Sequence, residues 1–237
     1  MLAQLLVAVG RLDEASTVLE QSRADGFSDR GRLACAELLA PIAVQRGDVE
    51  GGLGLVRELI GRTPGSRSLL VVLHNAYTVW LNVPGREGPA PTAIAADFDR
   101  WLAGVDAGDS TAELRAQAVA FRRTLIVQAT IVACRDRAGA VDWRRLVREL
   151  RALRAEDTEN QDALYYEMQA LQNGLVAVNR ELSSATGPRR RELDTESRRL
   201  LDELRATAEA LVQVSYDAEQ RTQAESLLEG LRRHGGN

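Results

Sequence analysis

An all-α fold is expected, built from antiparallel helix pairs and followed by a long C-terminal helical hairpin. Three observations predict it. Apolar residues recur at spacings of three and four along most of the 237 residues, the period of helices with one buried face. Aromatic residues make up 4% and prolines number 6, too few for the aromatic, β-branched and turn-rich pattern of a β-sandwich. A glycine-centred block recurs 37 residues apart, the mark of a repeated supersecondary unit. The apolar share of 45% is enough for a buried core and lies outside the disordered class.

The first copy of the block is Gly10-Arg11-Leu12-Asp13-Glu14-Ala15, followed by Val18 and Leu19. The second is Gly47-Asp48-Val49-Glu50-Gly51-Gly52, followed by Leu55 and Val56. Each glycine ends one apolar helical run and opens the way to another, so the unit reads as helix–turn–helix. At these residues the chain resembles the tetratricopeptide repeat. Gly10, Leu12 and Ala15 fit that family's pattern, as do Gly47, Val49 and Gly52, and Pro64 falls where the family often closes its second helix. A third, weaker unit has its first helix from Ser66 to Val83, with Tyr77 at the family's tyrosine position and His74 where a small residue is usual. A loop from Pro84 to Pro91 then replaces the family's tight turn. The resemblance covers residues 1–107 and implies an α-solenoid whose first helices line a concave surface. One departure is Pro41, inside the first helix of the second unit. It lacks a backbone donor and crowds the preceding turn, so a kink or break is expected there.

Residues 108–157 read as connecting helices. Asp109-Ser110 opens a helix over Thr111–Arg137, which Ala138-Gly139 closes. A second helix, Asp142–Ala155, places Trp143, Leu146, Val147, Leu150 and Leu153 on one face and Arg144, Arg148 and Arg151 opposite. The acids of Glu156-Asp157-Thr158-Glu159 suit a helix N-terminus, where they favour the dipole.

Residues 158–237 read as the antiparallel hairpin. Leu164, Met168, Leu171, Leu175, Val178 and Leu182 alternate spacings of four and three, a coiled-coil seam. Ser183–Pro188 is the turn, with Gly187 as C-cap and Pro188 in the first turn of the next helix. The second arm carries Leu200, Leu204, Thr207, Leu211, Val214 and Ala218. Its excess, Asp217–Arg233 with Leu227, Leu228 and Leu231, is expected to pack on the body of the chain or on a partner, a homodimer through these helices being one reading.

The chemistry-bearing residues are few. All 30 basic residues are arginine, which removes Walker, kinase, Schiff-base and Ser–Lys mechanisms together. Two histidines and two cysteines form no metal or catalytic spacing, and no phosphate loop or GxSxG turn is present. Gly51-Gly52-Leu53-Gly54 sits within a helix and reads as close packing. Asp97 and Asp99, two apart, point in different directions on a helix and make no metal site. Catalytic residues, cofactors and metal ligands are therefore all assigned as none, and an enzyme is not expected. Cys35 and Cys134 read as buried reduced thiols; with neither a signal peptide nor a membrane span in the reading, a cytoplasmic protein is expected. The arginines at 135, 137, 144, 145, 148, 151 and 154, and at 189–191, read as ion-paired helix faces. The formal charge of −4 and the lack of aromatics between these arginines weigh against nucleic acid.

What remains is a non-enzymatic protein–protein interaction module, a scaffold or adaptor with a protein or peptide partner. The concave surface that the family resemblance implies would present Asn75, Thr78, Asn82, Arg67 and Glu37. An asparagine amide can hold a peptide backbone with both a donor and an acceptor. The alternative is a peptide- or small-molecule-sensing arm of a bacterial regulatory system, with a pocket near His74, Tyr77, Trp80 and Trp101.

Overall fold

A computed structural model describes residues 2–24, 29–62, 65–82, 87–105, 111–136 and 139–234. Among them are eleven helices and no strand: α1 (Leu2–Ala8), α2 (Leu12–Ala24), α3 (Asp29–Gln45), α4 (Val49–Ile60), α5 (Arg67–Leu81), α6 (Pro91–Ala103), α7 (Ala112–Ala133), α8 (Trp143–Glu156), α9 (Gln161–Ser184), α10 (Gly187–Val214) and α11 (Ala218–His234). The all-α class is therefore established. The chain divides into two units, residues 1–129 and 130–237, and the division falls inside α7. Pro64, residues 83–86, Asp109-Ser110 and Arg137-Ala138 lie outside the described residues.

In the first unit the turns at the two glycine blocks are built alike. Gly10 and Gly47 have φ of +76° and +87°, the left-handed conformation that favours glycine. The Gly10 amide donates to the Val7 carbonyl and the Arg11 amide to that of Leu6; the Gly47 amide donates to Val44 and the Asp48 amide to Ala43. Both are Schellman caps, so the same residue type stops α1 and α3 for the same reason. Asp48 then caps α4 by accepting from the Gly51 amide at 2.9 Å.

The small residue of each block faces its partner helix. Ala15 is fully buried. A methyl group added at Gly52 would stand 2.6 Å from Val44 Cγ2 and 2.9 Å from the Ala40 carbonyl, so only glycine lets α4 approach α3 this closely. Of the kink or break expected at Pro41, the break does not occur: α3 runs through it as one helix. Ala40, Ile42 and Val44 on either side are buried, and that packing outweighs the one missing hydrogen bond. Ser66 caps α5, accepting from the Leu69 amide. Leu69, Leu70, Leu73, Tyr77, Ile94, Phe98 and Trp101, from α5 and α6, form the best-sealed part of the core.

In the second unit α7 ends at Ala133, earlier than expected. The chain closes a loop instead: the Asp136 amide donates to Ala140 O, the Ala140 amide to Asp136 Oδ1, and the Asp142 amide to Cys134 O. Asp142 caps α8 through the amides of Arg144 and Arg145. Leu146, Val147 and Leu150 are buried as expected, with Trp143 and Leu153 half-buried. Gly174 admits Trp143 to α9, since a Cβ there would meet the indole at 2.6–2.8 Å. The acids 156–159 do not open a helix: Glu156 ends α8, and Asn160 caps α9 by accepting from the Ala163 amide.

The hairpin seam is present, with Leu164, Met168, Leu171, Val178, Leu200, Leu204, Thr207 and Leu211 buried. Gly187, at φ +57°, begins α10 rather than capping α9, whose C-cap is Ala185. The second arm is shorter than its seam suggested. It stops at Val214, which is 47% exposed, and Ser215-Tyr216-Asp217 turns the chain into α11. Asp217 Oδ1 accepts from the amides of Glu219 and Gln220. Helix α11 returns beside the start of α9, where Gln220 Nε2 donates to Asp162 and the Tyr165 hydroxyl to Gln223. Ala224 and Leu228 are buried, and Leu227 and Leu231 half-buried, within this unit.

Candidate functional site

Helix α5 carries most of the residues expected to bind a partner. Positions 67, 71, 75, 78 and 82 fall along one stripe of it. Arg67, Asn75 and Asn82 are exposed, Val71 is exposed between them, and Thr78 is half-buried. Glu37, on α3, joins the stripe through Ser68, whose hydroxyl lies 3.5 Å from its carboxylate. The polar atoms are partly committed. Thr78 Oγ1 donates to the His74 carbonyl at 2.9 Å. Asn82 is the C-cap of α5 and its Nδ2 donates to Thr78 O at 2.7 Å. Arg67 and the aliphatic Val71 are left facing outward on the same stripe.

Beneath it lies a charge cluster. Asp97 of α6 is 3% exposed. Arg57 Nε of α4 donates to both its oxygens, at 2.9 and 3.0 Å, and the Tyr77 hydroxyl of α5 donates to Oδ2 at 2.6 Å. A second guanidinium, from Arg100, stands 3.6 Å away. Burial, reinforced by the bond to Asp97, pushes the Tyr77 phenol far up and keeps it protonated. The hydrogen bond to Asp97 likewise raises Arg57. The cluster ties three helices together and exposes no nucleophile. The sequence carried one signal for it: Asp97 sits on the same face of α6 as Ile94, Phe98 and Trp101, a charge at a core position.

The aromatics expected to wall a ligand pocket are consumed in packing. Tyr77 and Trp101 are fully buried, and Trp101 Nε1 donates to Ser66 O. Trp80 Nε1 donates to Glu87 O. The His74 ring stacks on Phe121 with centroids 4.0 Å apart, and burial lowers its pKa.

In the second unit five of the arginines expected to be ion-paired are so: Arg144, Arg148, Arg151, Arg154 and Arg189. Arg151 and Arg154 both hold Glu167, which is 1% exposed, and Arg151 also reaches Glu203. Arg144 pairs with Glu196, and Arg189 with Glu181 and Glu192. Cys35 and Cys134 are free thiols, Cys134 buried and its pKa raised by that burial, Cys35 half-buried. A groove of about 490 Å³ runs over α2, α3 and α4, but its polar lining is engaged within the chain. Ser16 donates to Glu20, Arg46 pairs with Asp13, and Asp48 caps α4. Among the described residues no three His, Cys, Asp or Glu side chains are grouped to hold a metal ion, and no helix is long and apolar enough to cross a membrane. Compared with family models, curated proteins and solved structures, the chain matches none.

Proposed function

We propose that this chain is a non-enzymatic interaction module that binds a protein or peptide along α5. The observation that carries the reading is the stripe Arg67, Val71, Asn75 on a helix whose opposite side is locked into the core by Leu69, Leu70, Leu73 and Tyr77. A rigid helix presenting a guanidinium, an aliphatic patch and an amide in a row holds contact groups in place without an ordering cost at binding. Thr78 and Asn82 continue the stripe, and Glu37 lies beside it through Ser68. The tetratricopeptide-like reading of residues 1–107 is supported by the matching caps at Gly10 and Gly47 and by the buried small residues Ala15 and Gly52. An adaptor in the cytoplasm is the role that fits this reading.

The test is capture from nuclease-treated lysate of the source organism, read by mass spectrometry, with a variant carrying Arg67→Glu, Val71→Asp and Asn75→Asp beside the native chain. A stoichiometric protein held by the native chain and lost from the variant supports the α5 surface. Equal retention by both overturns it.

A further inference from the structure

At the turned end of the hairpin the charges do not balance. Residues 180–192 hold four arginines against two glutamates, a local charge of +2 in a chain of −4. Arg189 is neutralised there, between Glu181 at 2.9 Å and Glu192 at 3.3 Å. Arg180, Arg190 and Arg191 are exposed and make no ion pair among the described residues. The pairing expected of the arginines at 189–191 therefore reaches only the first. A groove of about 570 Å³ opens beside them on α10, lined by Arg191, Thr195 and Arg199 with Glu192 and Glu196. Both of its acids are held by arginines that do not line it: Glu192 by Arg189, and Glu196 by Arg144 at 2.8 Å. Arg144 is fixed in turn over the Trp143 ring, 4.5 Å from its centroid. The Thr195 hydroxyl donates to the Arg191 carbonyl, and Arg199 has Glu203 at 3.6 Å. Arg191 is left in the groove as a guanidinium with no carboxylate of its own chain.

We propose that this end of the hairpin binds a short acidic segment of another protein. One carboxylate sits on Arg191 in the groove, and further acids meet Arg190 and Arg180 at the tip. A guanidinium receives a carboxylate through two parallel hydrogen bonds, which gives the seat direction as well as charge. The charge pattern favours a short acidic stretch over a nucleic acid or an anionic membrane. A local excess of positive charge acts over about 8 Å at physiological salt, enough to hold a few carboxylates. A long polyanion would also meet Glu181, Glu192 and Glu196 and the negative charge of the whole chain. From Asn179 to Arg199 there is no aromatic residue on which a base could stack. The two leucines of that stretch, Leu182 and Leu193, are half-buried and buried, so neither is offered to lipid. This surface is on the hairpin and stands or falls separately from the stripe on α5.

The experiment uses the full chain and a fluorescent peptide alternating Glu and Ser, followed by anisotropy. At about 50 mM salt the peptide is expected to bind with a Kd below about 100 µM, weakening about tenfold at about 300 mM. Arg190→Gln with Arg191→Gln should weaken it about tenfold or more. The helical spectrum should stay unchanged, because both side chains are exposed and neither has an ion pair to lose. Arg221→Gln with Arg233→Gln removes the same charge from exposed positions of α11 and should leave the affinity within about twofold. Absence of binding at about 1 mM, or equal losses in the two double variants, overturns the proposal. So does tighter binding of single-stranded RNA or of phosphatidylserine vesicles through Arg190 and Arg191, which would give the surface to phosphate groups.

Discussion

The hydroxyl of Tyr77 donates a 2.6 Å hydrogen bond to Oδ2 of Asp97, and both side chains are sealed from water. Arg57 completes the carboxylate's shell from a third helix. Tyr77→Phe removes one donor while keeping the ring, and should cost about 1–2 kcal/mol. Arg57→Met leaves a buried carboxylate without its ion pair and should cost more, about 2–3 kcal/mol, solvent screening of the guanidinium keeping it at the low end. Because both donors serve one acceptor, the double variant should depart from additivity. Urea titration of the three variants measures this; losses within the range of ordinary surface changes would show the cluster to be idle.

Two glycines of α4, two residues apart, should respond to alanine with opposite signs. At Gly52 the new methyl meets Val44 and the Ala40 carbonyl, and overpacking should cost about 1–3 kcal/mol. At Gly54 nothing lies within 4 Å, so the gain in helix propensity, about 0.5–1 kcal/mol, should appear as added stability. Thermal unfolding of Gly52→Ala and Gly54→Ala decides it.

Glu167 is the buried acceptor for two arginines. Glu167→Gln keeps the shape but removes the charge that both guanidiniums face, and should destabilise the second unit by about 2–3 kcal/mol. Arg189 makes its ion pairs in full solvent, and Arg189→Ala should leave the denaturation midpoint where it was. A drop for Arg189→Ala equal to that for Glu167→Gln would refute the distinction between buried and exposed pairs.

Burial lowers the pKa of His74 below its ordinary value of 6.5, the hydrogen bond to Asn75 opposing this only in part. Between that lowered value and 6.5 the unfolded chain binds more protons at this site than the folded one. Stability should therefore rise with pH across this window and fall as the pH drops through it. His74→Gln should flatten that part of the profile, measured as the unfolding midpoint against pH from about 7.5 to 5. A profile identical to that of the native chain would assign the dependence to other groups.

Much of the fold was legible because it is written locally. Gly10 and Gly47 announce their turns by residue type and frame, Asp142 announces the start of α8, and the spacing from Leu164 to Val178 announces the seam. The end of α10 was hidden by its own pattern. The heptad spacing runs on through Val214 to Ala218, while Ser215 and Asp217 end one helix and cap the next. A capping box was in view there, since Asp217 precedes Gln220 by three residues, but the apolar period masked it. On α5 the positions of Arg67, Asn75, Thr78 and Asn82 on one stripe were legible from the helical period, but not that Thr78 and Asn82 spend donors on their own helix.

Read locally, the residues settled the all-helical class, several of the stops and starts, as at Gly10, Gly47 and Asp142, and the apolar faces, since capping and periodicity act over about four residues. The 37-residue frame also settled that the turns at Gly10 and Gly47 are alike. Packing between distant helices settled the rest: that Asp97 meets Arg57, 40 residues away, that Gly174 makes room for Trp143, and that α11 folds back along α9. Those pairings depend on which helices come together, and many partners separated by tens of residues satisfy the same local rules. Packing selects among them by excluding water from one arrangement at a time, so a buried charge finds its partner only once the helices are in contact.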